Sequence, residues 1–346
     1  MSDSIDTKNA EGPELLFEAI GLKKWFPVEH GLARLFTPEA DRRYVRAVDG
    51  VSFGIRKGEI FGLIGESGCG KTTTGKLIMK LLQPSSGKLL FKGRDVTEVA
   101  GEDLEAYRRQ VQMVFQDPYA SMNPRFRIKG VLEEPLQVHK IAPDRKEREE
   151  LVRKALREVK LVPEDEYMAR FPHMLSGGQR QRVATARTLI LSPSMLVADE
   201  PVSMIDLSTR AEILHMMKEV QRELGLTYLY ITHDLSTARY FTDRIAVMYL
   251  GRIVEMGQPD AIIDKPLHPY TKALINAVPE PESGRVNQQR TLAISGEIPN
   301  AANVPPGCRF HTRCPYAVDA CKAEPEPELE DAGEGHMVAC RRHGVI

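Results

Sequence analysis

Ile60-Phe61-Gly62-Leu63-Ile64 running directly into Gly65-Glu66-Ser67-Gly68-Cys69-Gly70-Lys71-Thr72-Thr73 is the stretch that decides the fold. The first part is an apolar run of strand length, and Gly65 to Thr72 satisfies G-x-x-x-x-G-K-[ST] where that strand should give way to a helix. The glycines let the backbone curl so that successive N–H groups and a helix N-terminus face one anion. Lys71 adds a cation for β- and γ-phosphate charge, the Thr72 hydroxyl suits a magnesium ion, and Thr73 continues the set into the first helical turn. Cys69 occupies a variable position of the loop and reads as a passive small residue, although a thiol at a helix N-terminus can be acidified.

Working outward, a second apolar strand at Met195-Leu196-Val197-Ala198 ends in Asp199-Glu200. A phosphate loop needs such a pair: Asp199 to hold Mg²⁺ through water and Glu200 to polarise an attacking water. Further strand signals fall at Leu16 to Ile20, Val51 to Ile55, Leu89 to Phe91, Thr227 to Thr232 and Arg244 to Tyr249, and a helix pattern covers about Ala211 to Leu224. Residues from about 118 to 191 are mostly helical in pattern, with Leu151, Ala155, Leu156 and Val159 on one face. The expected class is therefore α/β, a mainly parallel sheet interrupted by a helical subdomain and preceded by a strand-rich start.

The bulk properties narrow the function. Lys+Arg 47 against Asp+Glu 48 gives a net charge of -1, so no overall field favours nucleic acid or an anionic membrane as partner. No uncharged apolar run approaches the roughly 18 residues of a spanning helix. The polar, acidic start MSDSIDTKNAEGPE lacks an apolar signal core, which places the chain in the cytosol and residues 1–13 in a disordered tail. There is no internal repeat.

Leu175-Ser176-Gly177-Gly178-Gln179-Arg180-Gln181-Arg182 adds a second helix-N-terminal phosphate cradle, one more than a single nucleotide needs. This string resembles the signature sequence of ABC ATPases, and it lies shortly before the carboxylate strand as in that family. The resemblance covers about residues 15 to 255 and implies a P-loop NTPase fold with an antiparallel β subdomain and a helical subdomain over residues 14–258. It implies that two subunits pack head to tail, so that Ser176, Gly177, Gly178 and Gln179 serve the ATP bound by the partner. Gln116 in Val-Phe-Gln-Asp-Pro resembles the Q-loop, Ser203-Met204-Ile205-Asp206 the D-loop and Ile231-Thr232-His233-Asp234 the switch histidine. By the same resemblance Gln116 contacts Mg²⁺ or the water, Asp206 belongs to the nucleotide-binding set, and His233 contacts the γ-phosphate. An aromatic residue should stack on adenine; Phe26 aligns best, with Trp25 and Tyr44 as rivals because residues 27 to 45 form a long insertion. The D-loop reads SMID where SALD is usual, and bulkier Met204 and Ile205 would alter contacts across the dimer, so the expected partner is a distinct second ATPase.

Beyond about Pro259 the composition turns Pro-rich, which sets residues 259–346 apart as a separate small unit poor in regular structure. Leu267-His268-Pro269-Tyr270-Thr271 resembles the start of the C-terminal extension of oligopeptide and dipeptide importer ATPases, an extension shared with nickel and oligosaccharide carriers. Cys308, Cys314, Cys321 and Cys340 are spaced C-x5-C-x6-C-x18-C. The close pairs of a zinc site are absent, and four soft thiolates at irregular spacing suit a [4Fe–4S] cluster, as the family resemblance also implies; zinc and reduced or disulfide-bonded cysteines are the alternatives. The resemblance further implies two membrane-spanning permease subunits, an extracytoplasmic substrate-binding protein and a peripheral place on the cytoplasmic face of the membrane. Two other classes remain: a soluble ABC-type mechanoprotein, which should show coiled-coil heptads or two ATPase halves, and an iron–sulfur enzyme using ATP, which should show catalytic residues outside the phosphate site.

Overall fold

The computed structural model describes residues 14–28, 43–277 and 299–345. The disordered tail expected at 1–13 lies outside the described residues, as does most of the insertion between 27 and 45.

A strand-rich start becomes a four-stranded antiparallel sheet in the order β2-β1-β4-β5, formed by β1 (Leu15–Pro27), β2 (Tyr44–Arg56), β4 (Ser86–Phe91) and β5 (Arg94–Asp95). Its inner face carries Phe17, Leu22, Val51, Phe53 and Ile55, all buried. Phe53 stacks on Phe61 with ring centroids 5.1 Å apart, and this joins the small sheet to the large one.

With β10 (Arg252–Gly257), β11 (Glu330–Asp331) and β12 (Met337–Val338) at one edge, the large sheet has the order β11-β12-β10-β9-β3-β8-β7-β6. Five of its strands are parallel: β3 (Ile60–Ile64), β6 (Val111–Val114), β7 (Met195–Asp199), β8 (Thr227–Thr232) and β9 (Arg244–Tyr249). Every residue of β3, β7 and β8 is buried, as unbroken apolar runs require when both faces of a parallel sheet are covered. Helix α1 (Lys71–Ile78) follows β3 and lies close against β8: a Cβ on Gly75 would meet the Ile231 side chain at 2.9 Å.

Helices α3 (Ile128–Val138), α4 (Arg145–Glu158), α5 (Glu164–Ala169) and α6 (Gly177–Leu189) build the helical layer. The face expected from periodicity is the buried one: Ala155, Leu156 and Val159 are core and Leu151 packs against it. Two elements have weak sequence signals. α2 (Gly101–Gln110) buries only Tyr107, and β6 is a four-residue strand that begins where this helix ends. Helix α7 (Leu207–Leu224) precedes β8 and α8 (Leu235–Phe241) follows it.

The C-terminal segment is laid against the large sheet. After β10 (Arg252–Gly257), helices α9 (Pro259–Asp264) and α10 (Pro269–Asn276) pack beside the sheet, and β12 (Met337–Val338) pairs with β10 through Glu255↔Val338 and Met256↔Met337. β11 (Glu330–Asp331) completes the edge, and the short helix α11 (Asp319–Lys322) lies in the cysteine segment. Phe310 is fully buried among Tyr249, Tyr270 and His268. The proline-rich composition reflects how this segment runs, as turns and loops laid on the sheet.

Candidate functional site

Four neighbouring parallel strands, in the spatial order β3-β8-β7-β6, end on the same side of the sheet. Each hands on a residue singled out from sequence: β3 leads into Gly65–Thr72, β8 into His233, β7 ends at Asp199 with Glu200 next, and Gln116 stands two residues beyond β6. The carboxyl ends of parallel strands are where open α/β sheets gather ligands. Residues spread over more than 160 positions of sequence are brought together by strand order alone.

The loop after β3 is held against backbone on both sides. Gly65 has φ +157 and Gly70 φ +112, and a Cβ at either would come within 2.2 Å of a carbonyl oxygen, that of Met248 or of Ala47. Lys71 is buried, and its Nζ donates to the carbonyls of Gly65 at 2.7 Å and Glu66 at 3.0 Å. Cys69 is also buried, and burial pushes its thiol up from the ordinary value against the opposing pull of Lys71, which agrees with the passive reading. Ser67, Gly68 and Thr72 are exposed at the loop's open side.

Thr72 Oγ1 donates to Asp199 Oδ1 at 3.3 Å. Burial raises the Asp199 carboxyl above its usual range, the neighbouring Glu200 adds to this, and the Thr72 hydrogen bond works the other way. A hydroxyl beside a carboxylate is an all-oxygen donor pair, which suits a hard cation such as Mg²⁺.

Glu200 has φ +47, a left-handed backbone, and its N–H donates to Ile231 O at 2.9 Å. This places its side chain between two partners. A carboxylate can only accept, so His233 Nδ1 donates to Oε1 at 3.0 Å, while Gln116 Nε2 donates to Oε2 at 3.3 Å. The three residues marked from sequence as the hydrolytic set are therefore one hydrogen-bonded cluster.

The signature residues sit apart from it. Ser176 caps α6, accepting from Gln179 N at 3.2 Å, and the Gln179 side chain accepts from Ser176 N at 3.1 Å. This reciprocal capping box opens the helix N-terminus outward. Neither Ser176 nor Gly177 nor Gly178 hydrogen-bonds to the phosphate loop among the described residues, and Gly178 packs on Thr209, which its Cβ would meet at 2.5 Å. Asp206 caps α7, accepting from Thr209 N at 3.0 Å. The expectation that both Met204 and Ile205 alter dimer contacts is corrected for Ile205, which is buried in the helical core; Met204 is 66% exposed.

The adenine rivals separate by their surroundings. Trp25 packs on Tyr44 at 6.2 Å, lies under Arg46 and donates from Nε1 to Asp49 Oδ1 at 2.9 Å. The Phe26 ring has Lys24 over it at 5.2 Å.

The C-terminal cysteines Cys308, Cys314, Cys321 and Cys340 are all free and half-buried, and all four line one pocket with His268, His311 and Tyr316. Burial pushes the Cys308 thiol up to about 12, and the three other cysteines add to it. No group of three or more His, Cys, Asp or Glu side chains among the described residues is gathered to hold a metal ion. The contacts that sequence reading missed come from this same segment: Arg313 donates to both carboxylate oxygens of Glu66, and Tyr270 Oη accepts from Glu66 N. Nothing in the spacing of Tyr270 or Arg313 signals a partner some 200 residues earlier.

Residues 48–203 match the ABC transporter family, and residues 254–321 match the oligopeptide/dipeptide transporter C-terminal region. The oligopeptide transport ATP-binding protein AppF of Bacillus subtilis is 45% identical over 96% of this chain and 98% of its own length. The dipeptide transport ATP-binding protein DppF of Escherichia coli is 43% identical over 97% of each. Among solved structures, cbiO1 from Clostridium perfringens, part of an ABC transporter complex, superposes with a TM-score of 0.62 at 25% identity, covering 73% of this chain and 92% of its own. A dimeric ATP-binding cassette, MJ0796 bound to ADP and Pi, gives 0.59 at 27% identity over 70% of this chain and 98% of its own. With its phosphate loop, carboxylate pair and signature helix assembled on this sheet, the chain belongs to the ATP-binding subunits of ABC transporters, in the branch that carries the oligopeptide/dipeptide C-terminal region.

Proposed function

We propose that this chain is the ATP-hydrolysing motor subunit of a peptide importer. The observation that carries the reading is the Glu200 carboxylate held by His233 and Gln116 at the open ends of β8, β7 and β6, beside the loop that would seat the phosphates. The loop amides and Lys71 bind the β- and γ-phosphates, exchanging the carbonyls that Lys71 now contacts for phosphate oxygens. Thr72 and Asp199 would hold Mg²⁺, which supplies neutralisation of the phosphate charge. Phe26 stacks on adenine.

Glu200 acts as the base that orients and activates water. Each of its oxygens accepts one hydrogen bond in the structure described and keeps a lone pair for a water. His233, whose side chain is 59% exposed, can turn to a γ-phosphate as a second acceptor. Gln116 stays on the helical layer's side of the site and reports its position to the permease. Ser176 and Gly178, which make no hydrogen bond to their own loop among the described residues, close over the ATP of a second ATPase subunit, with Asp206 at that junction. Exposed Met204 in the D-loop makes a distinct paralogue the favoured partner. No helix among the described residues is long and apolar enough to cross a membrane, which fits a peripheral subunit on the cytoplasmic face, carried by two permease subunits and fed by an extracytoplasmic binding protein.

The test is reconstitution of the chain with its partner ATPase, permeases and binding protein in liposomes. ATP hydrolysis is expected to rise when di- or oligopeptide-loaded binding protein is added outside. Stimulation by nickel or an oligosaccharide and not by peptides would keep the motor and overturn the cargo.

We further infer that the four cysteines hold a [4Fe–4S] cluster of structural or regulatory role. The support is their convergence as free sulfurs on one pocket, a soft all-sulfur donor set that fits an iron–sulfur cluster. Protein purified without oxygen is expected to contain about four iron and four sulfide per chain, and Cys340→Ser to lose them. One zinc and no iron would refute the assignment.

A further inference from the structure

We infer that Tyr270 and Arg313, both from the C-terminal segment, are positioning residues for the phosphate loop, so that this chain's affinity for ATP is set in part by a region outside the ATPase core. The inference rests on reading residues 65–72 as the ATP phosphate site.

Three contacts reach the loop from the segment and the strand ends it packs on. The N–H of Glu66 donates to Tyr270 Oη at 2.9 Å. The Glu66 carboxylate is bracketed by Arg313, with Nη1 to Oε2 at 3.1 Å and Nη2 to Oε1 at 3.4 Å. Gly251 N donates to Cys69 O at 2.8 Å, and the preceding carbonyl, that of Leu250, accepts from Arg309 at 2.6 Å. The supports are themselves rigid. Tyr270 is fully buried against Tyr249 and Phe310, and the Arg313 guanidinium lies over those same two rings at 5.8 and 5.9 Å.

Glu66 explains why a strut is needed. Its carboxylate stands in the loop that must receive a triphosphate, and two anions sharing a site repel. Arg313 turns that carboxylate aside and neutralises it, while Tyr270 fixes the peptide from which it hangs. A bracketing arginine supplies both charge and orientation, and lysine would supply the charge alone.

ATP affinity of the intact chain, measured by calorimetry with Mg²⁺, tests this. Arg313→Ala is expected to weaken binding roughly 10-fold, as for loss of a charged hydrogen-bonded pair. Tyr270→Phe should weaken it about 3-fold, and Arg313→Lys should recover part of the loss. The deciding arm is Arg313→Ala combined with Glu66→Gln: with the carboxylate gone the arginine has nothing to neutralise, so the double variant should bind ATP more tightly than Arg313→Ala alone. Thermal unfolding run alongside separates this from simple loss of folding, which would leave the double variant no tighter. Unchanged affinity in Arg313→Ala, or a double variant no tighter than the single, overturns the inference. Failure of the unsubstituted chain to bind ATP would instead overturn the assignment of the phosphate site.

Discussion

Glu200→Gln is expected to retain ATP binding and to slow turnover by a factor on the order of 10² to 10⁴. Glutamine keeps the length of the side chain and one carbonyl oxygen, so the His233 contact at 3.0 Å can persist. The backbone N–H to Ile231 O, which fixes the left-handed turn, is untouched. What is lost is the second acceptor oxygen and the basicity needed to take a proton from water. The phosphate loop does not depend on this residue, so nucleotide affinity should stay close to that of the parent. The comparison has to be made in a complex whose other ATPase subunit is inactivated, because that site would otherwise mask the effect. Near-normal single-turnover hydrolysis there would remove Glu200 from the chemistry.

The site was legible in the sequence to an unusual degree because each of its parts lies at the end of an apolar run. Ile60 to Ile64, Met195 to Ala198 and Thr227 to Thr232 declare themselves as buried strands, and the polar residue that follows each stands where a parallel sheet gathers ligands. Gln116 is the instructive exception. Its strand, Val111–Val114, has four residues, includes Gln112 and follows a largely polar helix without a turn signal, so Gln116 came from family resemblance alone. The packing of the C-terminal segment was hidden for a different reason. Its Pro-rich composition says that regular structure is sparse, and composition has no means of saying what loops pack against. The residues that decide the matter, Arg309, Phe310 and Arg313, act through contacts 247 to 260 positions away in the cases of Glu66 and Asp49. A long-range ion pair leaves no periodicity in a single sequence.

Arg309→Ala should be the most destabilising change in that segment, by about 3 to 5 kcal/mol, because it removes the buried cation nearest the buried Asp49 carboxylate. The Arg309 side chain is 3% exposed and Asp49 is 4% exposed. Its guanidinium bridges Asp49, Glu326 and the Leu250 carbonyl, tying the small antiparallel sheet, the C-terminal segment and the turn after β9 at one point. Burial alone would raise the Asp49 carboxyl; the hydrogen bond and charge of Arg309, with Trp25 assisting, overcome this and hold it below its ordinary value. A carboxyl depressed in the folded state stabilises the fold at pH values above its unfolded pKa of about 3.9, and that stabilisation is lost as pH falls through the folded value. The variant should therefore show a Tm lower by on the order of 10 °C near neutral pH and a smaller further loss on acidification than the parent. Adding Asp49→Asn to Arg309→Ala should restore part of the deficit, since the uncompensated charge is then gone and a neutral amide can still accept from Trp25 Nε1. A single variant as stable as the parent would mean that Arg46 and Arg252, the other cations near Asp49, suffice to hold it, and that the C-terminal segment is joined to the ATPase body by its apolar contacts around Phe310 alone.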